Sequence, residues 1–169
     1  MISFFKKIKG DGAALPPPPS YKAVAFAWLG GFIAMALVAS LANSLSIALV
    51  LGSFGASCVL LFGYPDAPFS QPRNVIAGHV ISTLVGLVFI TTLGVHWWVP
   101  GLAVGTAIAL MMLTRTVHPP VGSNPVIVFL TVPGWDFLLF PTLVGAVALV
   151  VVALVYNNVT RDSNYPKYW

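Results

Sequence analysis

The chain has 169 residues, of which 58% are hydrophobic and 7% charged, with eight Lys or Arg against four Asp or Glu. A soluble domain carries about 25% charged residues, so this composition excludes a soluble enzyme, a disordered tail and a nucleic-acid binder, and makes the lipid bilayer the protein's solvent. The net charge of +4 names no ligand by itself, because membrane proteins carry basic cytoplasmic loops.

Residues 1–22 read as a basic tail in which Lys6, Lys7 and Lys9 precede Pro16 to Pro19. Consecutive prolines make a stiff, extended spacer. A cleaved signal peptide would place its apolar core directly behind the lysines; here the spacer intervenes and the apolar run is too long, so the tail is expected to be retained. The transmembrane region is expected over 23–157, because its uncharged stretches reach the ~20 residues a spanning helix needs. A first helix is expected over 23–41 and a second over 46–63, where Gly52, Gly55, Ala56 and Ser57 permit close backbone contact. A proline-rich loop at 64–73 holds Asp66 and Arg73. A third helix over 74–94 leads to His96-Trp97-Trp98, an interfacial turn, since indole rings favour the headgroup level. The fourth helix is expected over 100–114.

The stretch 116–131 differs. It contains His118-Pro119-Pro120-Val121-Gly122-Ser123-Asn124-Pro125 and then the short run Val126 to Leu130. Three prolines remove amide donors, and the remaining run is too short to cross ~30 Å. A broken or re-entrant helix is the expected form, since irregular backbone at membrane depth persists only where protein or water satisfies it. A last helix is expected over 137–156, followed by a polar tail at 158–169.

Sliding the chain on itself by about 67 residues pairs Gly55-Ala56-Ser57 with Gly122-Ser123-Asn124. The same shift pairs Gly78, Val80, Val85, Leu87 and Val88 with Gly145, Val147, Val152, Leu154 and Val155. The fold class read from this is an all-α, polytopic membrane bundle of two three-segment repeats, 23–95 and 96–157, the second inverted. With a cytoplasmic N-terminus, every Lys and Arg falls on the cytoplasmic side, as the positive-inside rule requires. A re-entrant fifth segment is the alternative, leaving about four to six crossings.

Two places carry polar chemistry. A half-helix starting after Pro119-Pro120 would aim free amides into the bundle, and such an end attracts anions. Ser123 and Asn124 add neutral donors there, Gly122 allows close approach, and Arg115 adds a positive charge. The competing reading is a plain connecting loop capped by His118. The second place is Arg73-Asn74 with His79 further along the same helix; ionisable groups inside a span are functional candidates, although Arg73 reads equally as a topogenic charge at the cytosolic face, and His79 taken alone reads more readily as a neutral, hydrogen-bonded structural residue. Gly55 and Ser57 are the repeat counterparts of Gly122 and Asn124. The carboxylates are scattered, phosphate-loop spacing is absent, and the single Cys58 has no disulfide partner. No enzyme activity, cofactor or metal is therefore expected.

These residues resemble the HPP family of small integral membrane proteins, named for its His-Pro-Pro motif. The resemblance rests on His118-Pro119-Pro120-Val121-Gly122, on Gly55-Ala56-Ser57-Cys58-Val59-Leu60-Leu61-Phe62, and on Gln71-Pro72-Arg73-Asn74-Val75-Ile76-Ala77-Gly78-His79. It implies a transporter, since some members carry nitrite, and a fold usually described with four spanning helices. The function expected from residues and resemblance together is transport of a small inorganic anion, nitrite foremost, in a bacterial inner membrane. The site would be formed from Arg115, His118, Gly122, Ser123, Asn124, Arg73, Asn74, His79, Gly55 and Ser57. The expected partners are the anion and the bilayer, not nucleic acid, and so small a bundle is compatible with a homo-oligomer. The rival from another class is a non-transporting assembly subunit of a membrane complex.

Overall fold

The computed structural model describes residues 13–45 and 51–169. Helix α1, Tyr21–Leu45, follows the proline spacer and begins where the Ser20 hydroxyl accepts the Ala23 amide, the usual way to satisfy a first-turn donor. Helix α2, Gly52–Cys58, continues into a widened turn at Val59–Gly63. Helix α3, Pro72–Leu93, has proline in its first turn and stops at Gly94, whose φ of 74° suits glycine. Helix α4 is Val99–Leu113, and α5 is the eight-residue Asn124–Thr131, preceded by a tight turn at Pro119–Ser123. Helix α6, Val144–Thr160, follows a second interruption at Leu139–Leu143, where Phe140 leaves helical geometry.

Among the described residues every regular element is helical. Three runs are long and apolar enough to span a bilayer, namely Tyr21–Ser44, Pro72–Leu93 and Trp135–Thr160. Expected positions hold, with ends moved by a few residues. The first helix is longer than expected at both ends, and the last runs on to Thr160. Of the expected second helix, residues 46–50 lie outside the described residues, as does the expected lysine-rich start of the tail.

Contacts between ends define the topology. The Tyr156 hydroxyl donates to the Phe26 carbonyl, so α1 and α6 are antiparallel. Arg73 reaches the Thr114 carbonyl at 3.3 Å, bringing the start of α3 to the end of α4. Asn157 donates to the Leu61 carbonyl, so the α2 segment descends toward the same end. Asp66 pairs there with Arg161 and, at 3.1 Å, with Lys167. The described basic residues thus collect at one end of the bundle, while Trp97 and Trp98 sit exposed at the other. Partial burial raises the Asp66 carboxyl, but the hydrogen bonds and charges of Lys167 and Arg161 outweigh this and hold it below the usual carboxylate range.

Displaced by about 67 residues, the interrupted run Gly52–Gly63 falls on 119–130, the turn Pro68–Ser70 on 135–137, and Pro72–Leu93 on 139–160. Broken helix, short turn and long helix occur twice in the same order. In the first set the broken run heads toward the charged end; in the second it heads away.

Lipid tails are as apolar as leucine, so close packing and hydrogen bonds hold such a bundle together. One core joins Ala34 and Val38 of α1 to Phe54 and Leu61, and to Leu149, Val150 and Ala153 of α6. Another joins Val85 of α3 to Ala103, Ala107 and Met111 of α4 and to Val121. Trp28, Phe32, Ile108, Leu113, Val155 and Val159 are exposed on the outside, where a bilayer would meet them.

Candidate functional site

The irregular stretch 116–123 is held inside the bundle by one face of α3. Asn74 donates its side-chain amide to the Val117 carbonyl at 2.9 Å, and Ser82 donates to the Val121 carbonyl at 2.6 Å. Between them, Gly78 leaves room for close approach. A Cβ there would lie 2.9 Å from His118 Cβ and 3.2 Å from the Thr116 carbonyl oxygen. One turn beyond Ser82, a Cβ on Gly86 would lie 3.0 Å from Pro125 Cα. Asn74, Gly78, Ser82 and Gly86 recur every four residues and so share a helix face. Small residues admit the backbone and polar residues satisfy its carbonyls, which is how non-helical chain survives at membrane depth. This stripe was legible as a spacing in the sequence, yet only the partner segment gives it meaning.

His118 is extended at φ −135° and ψ 99°, the conformation that the following proline imposes. Its ring is fully buried. Nδ1 lies 2.7 Å from the Phe69 carbonyl and Nε2 lies 2.8 Å from Ser57 Oγ. A carbonyl only accepts, so Nδ1 carries the proton and, in a neutral ring, Nε2 accepts from Ser57. His79 has the same arrangement: Nδ1 donates to the Val75 carbonyl at 2.8 Å, and Nε2 faces Ser53 Oγ at 3.4 Å. The two imidazole centroids are 5.4 Å apart, and Phe54 closes one side, 5.2 Å from His79. Ser57 Oγ also lies 2.9 Å from the Ser53 carbonyl oxygen. Two imidazoles and two hydroxyls therefore form one buried polar cluster between α2, α3 and the His-Pro-Pro turn. Ser53 had not been singled out from the sequence; its four-residue spacing from Ser57 was the available signal.

A second polar group lies further along α3. Asn124 donates to Thr83 Oγ1 at 2.9 Å, Thr142 donates to the same oxygen at 3.2 Å, and all three residues are buried. Asn124 Oδ1 is buried with no hydrogen-bond partner among the described residues.

The structure brings together His118, Ser57 and His79, with Asn74 bracing them, and keeps other expected residues apart. Arg73 and Arg115 are exposed at the charged end; Ser123 is exposed and donates to the Pro120 carbonyl. Gly55 is on the outer surface of α2, with nothing among the described residues within 4 Å of where its side chain would be. Gly122 is half-buried and likewise open. The cradle of free amides expected after the prolines is also reduced. Pro119 and Pro120 have none to offer, while those of Val121 and Asn124 already donate to the His118 and Val121 carbonyls.

At the charged end a cleft of about 470 Å³ has Lys22, Phe26, Tyr64, Asp66, Asn157 and Arg161 in its wall. Nearby, Tyr165 donates to the Ser70 carbonyl at 2.7 Å, and burial raises its hydroxyl above the usual tyrosine range.

A family model described as the HPP transmembrane region matches residues 16–166. A transmembrane protein of Dictyostelium discoideum is 36% identical over 182 aligned residues, which cover 100% of this chain and 64% of that protein. Another from the same organism is 33% identical over 180 residues, covering 99% of this chain and 58% of its own. The chain thus spans about three fifths of the length of these curated relatives. They are eukaryotic and lend no support to a bacterial inner membrane. No solved structure matches.

Proposed function

Because the chain belongs to the HPP family of integral membrane proteins, we propose that it carries a small inorganic anion, nitrite first among the candidates, across the membrane. The observation supporting this reading is the convergence of two interrupted segments, 51–63 and 116–131, on the buried cluster of Ser53, Ser57, His79 and His118. Polar groups inside a membrane bundle are costly, and they mark ion and substrate pathways. The resemblance to nitrite-carrying members names the candidate.

A buried anion needs hydrogen-bond donors in place of its water shell. Of the donors at hand, Ser57, Ser53 and the imidazoles, the Ser53 hydroxyl is held most loosely, 3.4 Å from His79 Nε2, and is the first to turn to the anion. Arg73, Arg115 and Lys22 at one end raise the local anion concentration. Their one-sided placement also supports a cytoplasmic N-terminus.

The test is nitrite flux into proteoliposomes, comparing the wild type with His118→Ala, with Asn124→Ala and with protein-free vesicles. Flux that needs protein and falls in the variants supports the reading; equal flux in all four sinks it. An assembly role draws on a different observation, the outer groove of about 520 Å³ between α1 and α2, walled by Trp28, Gly31, Phe32, Met35 and Gly55. A co-purified membrane partner, with no protein-dependent flux, would favour that role. The same face would serve a homo-oligomer.

A further inference from the structure

We propose that the His118–Ser57–Ser53 chain, with His79 beside it, is a proton-binding site that takes up one proton together with the transported anion. The argument is a proton count. The Ser57 hydroxyl has one proton and two acceptors within reach, His118 Nε2 at 2.8 Å and the Ser53 carbonyl oxygen at 2.9 Å. In the neutral cluster one of them goes without. Adding a proton to His118 Nε2 completes the set. Nδ1–H donates to the Phe69 carbonyl, Nε2–H donates to Ser57 Oγ, and the Ser57 O–H donates to the Ser53 carbonyl, whose second lone pair is free for it. No heavy atom need move for the proton to be accommodated; the Ser57 hydroxyl hydrogen only turns from Nε2 to the Ser53 carbonyl.

The surroundings set the stoichiometry. His79 is 5.4 Å from His118, centroid to centroid, and two like charges at that range in a buried site disfavour each other, so the pair holds one proton. Among the described residues nothing else nearby supplies a counter-charge. From α2 the pair meets Ser53, Phe54 and Ser57, with the Cys58 thiol next in sequence. From α3 it meets Val75 and Gly78, and from the loop before α3 the Phe69 carbonyl. Helix α6, packed on α2 and α3, buries Ala146, Leu149, Val150 and Ala153, and α4 buries Ala107 and Met111. The Tyr165 hydroxyl is already donated to Ser70. Asp66, Asp136, Asp162, Arg73 and Arg115 are all exposed.

Among the described residues an imidazolium here therefore lacks a protein anion, and an entering anion lacks a protein cation. Each supplies the charge the other needs, so they bind as a neutral pair. The role as a coupling site rests on the transport reading above.

Two measurements test it. The first is nitrite binding to ¹⁵N-histidine-labelled protein in lipid nanodiscs, followed by the ring nitrogens. At neutral pH nitrite binding is expected to draw one proton from solvent onto a buried imidazole, and the nitrite Kd to rise about tenfold per pH unit, as uptake of one proton requires. His118→Gln abolishes that slope. Ser57→Ala, which keeps both rings, weakens binding about tenfold by leaving Nε2–H without its acceptor. The second is nitrite uptake with an internal pH dye and a potassium–valinomycin clamp. Wild-type uptake is expected to acidify the lumen and ignore the potential; in His118→Gln the remaining uptake follows the potential. Protein-dependent uptake that follows the potential in the wild type, with no slope in Kd, overturns proton coupling and leaves transport standing. Absence of nitrite binding and of protein-dependent uptake overturns both.

Discussion

Gly78→Ala tests how the broken segment is held. The added methyl would sit 2.9 Å from His118 Cβ, 3.2 Å from the Thr116 carbonyl oxygen and 3.5 Å from Val121 Cγ2. Carbon atoms pack best at about 3.5–4.0 Å, so the His-Pro-Pro turn must retreat by about 0.6–1 Å. That movement pulls His118 away from Ser57 and Phe69, whose bonds to it are 2.8 and 2.7 Å. Overpacking of this kind costs about 1–3 kcal/mol. Replacing glycine by alanine in a helix returns up to about 1 kcal/mol, so a net loss of up to about 2 kcal/mol is expected, about 1–3 kcal/mol worse than the same replacement at an open site. Gly105→Ala on α4 is the control, because nothing among the described residues lies within 4 Å of its Cβ position; it should be neutral or stabilising by up to about 1 kcal/mol. Unfolding in mixed detergent micelles, read by tryptophan fluorescence, measures both. Equal stability for the two variants would refute the close approach of α3 to the His-Pro-Pro turn.

Ser82→Ala removes the donor to the Val121 carbonyl and should cost about 1 kcal/mol, within the range for interhelical hydrogen bonds in membranes, measured by the same unfolding assay. Asp66→Asn removes the pairing with Arg161 and Lys167; the site is half exposed, so the loss at neutral pH should be about 1 kcal/mol or less. The Asp66 folded pKa lies below its unfolded value, so its contribution is complete above the unfolded pKa and disappears as pH falls through the folded one. The melting-temperature gap between wild type and Asp66→Asn should therefore close on acidification below about pH 4. In a Cys58→Ala background, cysteines placed at Ser20 and Ser163 should react with an impermeant thiol reagent from one side of the membrane, and one at Trp97 from the other. Labelling of Ser20 and Ser163 from opposite sides would break the topology.

The helical membrane fold was legible because it rests on composition and length: few charges, long apolar runs, and prolines marking where helices begin or fail. The break after Arg115 could be read from Pro119, Pro120 and Pro125, since missing amides do not depend on tertiary context. The buried cluster was half legible. His118, His79 and Ser57 stood out as polar residues in apolar runs, but their meeting depends on packing between segments 61 residues apart. Ser53 was passed over, and Gly78 was read only as a repeat and motif position, because serine and glycine are common in membrane helices and only the neighbouring backbone shows what they serve. Gly55 misled. A small residue permits contact on either face of a helix, and here its neighbour Ser57 points inward while Gly55 faces out.

That contrast within α2 offers the most direct test of the transport account. Ser57 is fully buried against His118, whereas the adjacent Ala56 is exposed on the outer surface. Nitrite uptake should be measured in proteoliposomes carrying equal amounts of folded wild type, Ser57→Val and Ala56→Val. The account predicts that Ser57→Val abolishes protein-dependent uptake while Ala56→Val retains it. Uptake that survives Ser57→Val unchanged would place the anion path elsewhere and contradict the account.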